Sequence, residues 1–63
     1  MAKTVNRRLR VLRAERDWTQ DDLAKRAQIT VWRINRIELG YLAPTPAERL
    51  RLTRALGTPE LGL

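Results

Sequence analysis

The chain lacks the side chains that most enzyme chemistry runs on. It contains no His, no Cys and no Ser. Ser–His and Cys–His nucleophile pairs, imidazole and thiolate metal ligands, and the commonest general base are therefore absent. Asp17, Asp21 and Asp22 form a small acidic group, but two of them suit a helix start and no acid–base partner set accompanies them. No catalytic, metal or cofactor site is expected. What remains in quantity is cationic: 13 Lys and Arg against 7 Asp and Glu give a net charge of +6 and a pI near 11.4. All but Lys3 and Lys25 of these cations are Arg, whose planar fork suits phosphates and guanine edges. The balance points to a phosphate polymer or another anionic surface. Codon bias would produce the same excess of Arg without a role.

A small fold must position these groups. At 63 residues and 7.3 kDa the chain reads as one domain, 1–63. Such a chain buries roughly 60% of its unfolded surface, so its core is marginal. No apolar run approaches a membrane span, and Met1–Arg10 lacks the apolar stretch of a secretory signal. Gly and Pro are absent before Gly40, so the first two-thirds can be mostly helical.

Four helices are expected, over about 4–16, 20–27, 31–39 and 46–56. In the first, Thr4 can cap and Val5, Leu9 and Leu12 make one apolar stripe; Arg7, Arg8 and Arg10 lie off it. In the second, Thr19 is an N-cap with Asp22 as a short capping-box partner, and Trp18 and Leu23 are the arms of a hydrophobic staple. Leu23, Ala24 and Ala27 face inward. In the third, Thr30 is the cap, Ile29 and Ile34 the staple, Ile34 and Ile37 one face, and Gly40 the left-handed stop. The fourth opens Thr45-Pro46-Ala47-Glu48, a capping box with Pro at the first helical position. It ends at Gly57, and its stripe is either Leu52 and Leu56 or Leu50 and Leu56. Only Gln28 and Ile29 separate the second and third helices, which forces a steep angle between them. The fold class is all-α.

The segment Thr19-Gln20-Asp21-Asp22-Leu23-Ala24 through Ile34-Asn35-Arg36-Ile37-Glu38-Leu39-Gly40, followed by Pro44, resembles the helix-turn-helix of the Cro and phage-repressor type. Leu9-Arg10 with Arg13 upstream and Arg54-Ala55-Leu56-Gly57 downstream match as well. The likeness covers about residues 5–57. It implies a compact bundle of four or five short helices, with the third in the major groove of double-stranded DNA and the second across the backbone.

The resemblance assigns roles residue by residue. Thr30, Val31, Trp32, Asn35 and Arg36 lie outward on the third helix and are the expected base contacts. Arg36 suits guanine, Asn35 suits adenine, and Val31 suits a thymine methyl. Trp32 is unusual where relatives mostly carry small polar residues; an exposed Trp also suits a protein contact. Gln20, Arg33, Tyr41 and Thr45 are the expected phosphate contacts. Arg13 and Glu38 match a structural ion pair between the first and third helices. Gln28 departs from the family's usual Gly, so either it carries left-handed strain or the turn is reshaped.

The function so implied is sequence-specific DNA binding by a transcription regulator of repressor type. It would act in the cytoplasm at the nucleoid, as a homodimer on a palindromic operator, with Leu61, Leu63 and part of the fourth helix as dimer contacts. No inducer pocket or small-molecule partner is expected. The alternative is a protein-interaction module of antitoxin or adaptor type on the same scaffold.

Overall fold

The structure, a computed structural model, describes residues 7–59. These form α1 (Arg7–Glu15), α2 (Gln20–Ala27), α3 (Val31–Glu38) and α4 (Pro46–Leu56), with no strand among the described residues. Thr4, Val5, Leu61 and Leu63 lie outside that range.

Local chemistry explains the helix starts. Thr19 accepts the Asp22 amide at 3.1 Å, while the Asp22 carboxylate accepts the Thr19 amide at 2.9 Å, so Asp closes the box despite its short reach. These bonds, the backbone one first, hold the Asp22 carboxyl below its ordinary range. Thr45 and Glu48 repeat the device on α4 at 3.1 and 2.9 Å. Thr30 caps α3 through the Arg33 amide at 3.3 Å.

The helix ends share one solution. Each is followed by a residue in the left-handed region: Asp17 (φ 55°), Gln28 (φ 58°), Gly40 (φ 84°) and Gly57 (φ 65°). Two of these are not glycine. Gln28 carries the conformation expected of Gly, and its amide closes α2 onto the Ala24 carbonyl. Asp17 ends α1 one residue earlier than the expected Arg16, with the Trp18 amide returning to the Arg13 carbonyl at 3.1 Å. Likewise α3 stops at Glu38 rather than 39, because Leu39 serves as its cap before Gly40.

One core holds the elements together. Leu9 and Leu12 of α1, Leu23, Ala24 and Ala27 of α2, Ile29, Ile34 and Ile37, and Leu52 and Leu56 of α4 are buried in it, with Trp18, Leu42 and Ala55 packed alongside. Leu52 is 0% exposed and Leu50 52%, which selects the first of the two α4 registers. The core positions the functional surface: with Ile34 and Ile37 turned inward, the opposite side of α3 must face out.

Candidate nucleic-acid interface

The outward side of α3 begins with Thr30 and Val31, both exposed, and continues through Trp32, which is 58% exposed. Asn35 and Arg36 follow, half-buried at its edges. Apolar groups and a hydrogen-bonding amide thus stand beside a guanidinium on one exposed strip.

Arg36 is held by aromatic rings. Its guanidinium carbon lies 5.3 Å from the Trp32 ring centre and 5.5 Å from that of Tyr41. The first contact follows from i, i+4 spacing on a helix. The second needs the turn after α3. Gly40 adopts φ 84°, and the chain reverses so that the Tyr41 and Leu42 amides reach the Arg36 carbonyl at 2.9 and 3.3 Å.

Beneath this strip lies a polar network. Arg13 donates from Nε to Glu38 Oε2 at 2.8 Å and from Nη2 to Oε1 at 3.1 Å, a bidentate pair. Its Nη1 bonds the Trp18 carbonyl at 2.9 Å. Gln20, at the first position of α2, donates to Glu38 Oε1 at 3.1 Å and accepts a long bond from Asn35 at 3.4 Å. Glu38 is only 3% exposed. Arg10, Arg13, Gln20, Asn35, Glu38 and Leu39 line a recess of about 230 Å³ above the network.

Three expected phosphate contacts are partly engaged within the chain. Gln20 spends one amide proton and its oxygen as just described, leaving one donor. Thr45 has its backbone amide on Glu48, leaving only the hydroxyl proton. Arg33, the third, is the most engaged. Its Nε and Nη2 both bond the Glu48 carboxylate, the latter at 2.8 Å, so its fork is closed and Nη1 remains. That bond, ahead of the Thr45 amide, pulls the Glu48 carboxyl below its ordinary range, and it raises the Arg33 guanidinium in turn.

Sequence reasoning missed Arg10 as part of the recess. Its i, i+3 spacing from Arg13 was the available signal. Among the described residues no His, Cys, Asp and Glu group can hold a metal ion, and no helix is long and apolar enough to cross a membrane.

A helix-turn-helix family model matches residues 9–63. The chain belongs to that family, typified by Cro and the lambda-type repressors, a class of DNA-binding regulators. Comparison with curated proteins and with solved structures returned no match.

Proposed function

We propose that the protein is a sequence-specific transcription regulator of repressor type that reads the major groove with α3. One observation carries this: Ile34 and Ile37 are buried while Val31, Trp32, Asn35 and Arg36 share the opposite, solvent-facing side. Thr30, Val31, Trp32, Asn35 and Arg36 are the proposed base-edge contacts. Gln20, Tyr41 and Thr45 take phosphates through their remaining polar groups, and Arg33 through Nη1. Arg10 joins them as a cation beside Gln20. Phosphate contacts set register and affinity, and base edges set preference.

A palindromic operator bound by a homodimer would place two α3 helices about 34 Å apart. Leu50 on α4 supplies exposed apolar surface for that dimer; Leu61 and Leu63, the other proposed contacts, lie outside the described residues. The working location is the cytoplasm, on the nucleoid.

Selection of bound duplexes from a random pool tests the reading. The expected product is one enriched sequence with two-fold symmetry, and an affinity whose log–log salt slope is roughly −2 to −4 for two to four arginine–phosphate contacts. A pool without enrichment, together with salt-insensitive association, would reject DNA reading. That result would favour the antitoxin or adaptor alternative, in which Trp32, Tyr41 and Arg36 form a protein-binding hot spot.

A further inference from the structure

A second recess, of about 300 Å³, lies where α2 packs on α4, at the far end of α2 from Gln20. Arg26, Gln28, Arg51 and Arg54 line it together with Ala27 and Ala55, whose methyl side chains leave the space open. Arg51, Arg54 and Ala55 share one face of α4 through their i, i+3 and i+4 spacing. None of the side chains proposed to meet DNA belongs to this lining.

Three guanidiniums thus border one space, and no carboxylate of the described residues pairs with them. Glu38 is held by Arg13, Glu48 by Arg33 and Asp21 by Lys25. Asp22, one turn before Arg26, takes the Thr19 amide, and Glu15 lies 4.0 Å from Arg16. Arg26 and Arg54 stand in the last turns of their helices, where the dipole favours a cation whatever its use. That account does not reach Arg51, which lies in the middle of α4 one turn from Arg54, where a like charge is unfavourable. Arg26 is also fixed in place. Its guanidinium carbon lies 4.3 Å from the centre of the Trp18 ring, and that ring packs against the core. A ring contact engages the charge of an arginine and none of its N–H donors.

Gln28 is an independent sign. Its φ of 58° is unfavourable for any residue with a Cβ. The backbone duty there, closing α2 onto the Ala24 carbonyl, needs no side chain and would suit glycine better. The chain nevertheless keeps a long amide at this position, exposed and lining the recess. Strain of this kind marks places where the strained residue has a use.

We propose that Arg26, Gln28, Arg51 and Arg54 form a docking site for an acidic segment of a partner protein. Arginine forks match carboxylates in bidentate geometry, and the Gln28 amide adds a neutral donor. Shape favours this occupant over DNA. A duplex is a stiff rod with its phosphates on a convex surface, whereas a carboxylate on a side chain can enter a concavity. The site is separate from the outward side of α3 and does not depend on what that side reads.

The test uses the full chain and a fluorescein-labelled, alanine-based helical peptide with glutamates along one face, its binding read by anisotropy. Arg51→Gln combined with Arg54→Gln should weaken binding about tenfold, at about threefold for each exposed pair. Arg8→Gln combined with Arg49→Gln removes the same charge away from the recess and should cost less than about twofold. Gln28→Gly leaves net charge unchanged and should still weaken the peptide about threefold through loss of one donor. All five positions are exposed, and circular dichroism checks that each variant is folded. A short random-sequence duplex should respond to the recess substitutions less than about twofold. Equal losses from the two double variants would reduce the site to diffuse charge and overturn it. A duplex weakened as much as the peptide would give the recess to DNA instead. Displacement of the peptide by inorganic phosphate at constant ionic strength would give it to a free anion. A peptide that fails to bind, or one that Gln28→Gly binds at full strength, would likewise reject the proposed contact set. None of these results bears on reading by α3.

Discussion

Replacing Arg13 by Ala should destabilise the fold by about 3 kcal/mol, a third or more of its total stability. The substitution strips the Glu38 carboxylate of its two arginine bonds and leaves Gln20 as its remaining donor of the three. Glu38 is 3% exposed, so water cannot take over. It is also the last residue of α3, where the helix dipole opposes a negative charge. Breaking a buried pair costs roughly 3–5 kcal/mol. The Arg13 side chain keeps 17% of its surface, so the lower end, about 3 kcal/mol, applies. A chain of 63 residues has a total stability of about 3–9 kcal/mol. The melting temperature should fall by roughly 12–24 °C, at 4–8 °C per kcal/mol for a domain of this size. Circular dichroism at 222 nm during heating reads this directly. The double variant Arg13→Met with Glu38→Leu separates causes, because it removes both charges and keeps apolar volume. It should recover most of the loss. An Arg13→Ala shift under about 3 °C, or a double variant as unstable as the single one, would refute the reasoning.

The other expectations follow from local geometry. Gln28→Gly should raise stability by about 0.5–1 kcal/mol, since it relieves left-handed strain of roughly 1–2 kcal/mol at φ 58° but frees the unfolded chain; an unchanged urea midpoint would deny the strain. The Glu48 carboxyl is depressed by Arg33 and the Thr45 amide, so its stabilisation is complete above the ordinary carboxylate range and fades as pH falls through its lowered value. Melting temperature should therefore hold from pH 7 to about pH 5 and then drop, and Glu48→Gln should make that acid drop shallower; an identical acid slope would contradict the assignment. Arg10→Gln should weaken DNA binding several-fold and reduce the salt slope by about 1. Arg54→Gln should change affinity less than about twofold, because Arg54 lines a different recess with Arg26 and Arg51, at the far end of α2 from Gln20. Equal losses in a filter-binding titration would mean that DNA wraps both faces.

The helix starts were legible because their signals are local. A Thr followed three residues later by Asp or Glu specifies a bond within one turn, and Thr19 and Thr45 both form it. The glycine stops at Gly40 and Gly57 were legible for the same reason. Asp17 was not, because Asp tolerates the left-handed region without announcing it. The α4 register stayed open in the sequence because Leu50 and Leu52 are chemically alike, and only packing against α2 distinguishes them. In the interface, the Trp32–Arg36 contact is one of spacing and could be read, whereas Tyr41 over Arg36 depends on a chain reversal. The Arg33–Glu48 pair escaped notice altogether. It joins α3 to α4 across 15 positions, and nothing in either local pattern points to the other.

The same geometry ties stability to the reading surface at one atom. Glu38 Oε1 receives both Arg13 Nη2 and Gln20 Nε2, and the Gln20 oxygen in turn takes the Asn35 amide. A side chain proposed to read a base is thus two hydrogen bonds from the ion pair that anchors α3 to α1. Loss of Arg13 should disturb Asn35 and Gln20 even in molecules that remain folded, because groups in one hydrogen-bond network do not respond additively. Gln28 makes no bond to that network, so relief of its strain should stabilise the fold and leave sequence preference alone. An Arg13 variant, assayed at a temperature where it is fully folded, should therefore bind its operator more weakly than the wild type, while Gln28→Gly binds as well. If the two variants bound DNA equally once folding was complete, the network would be a brace for the core and no part of recognition.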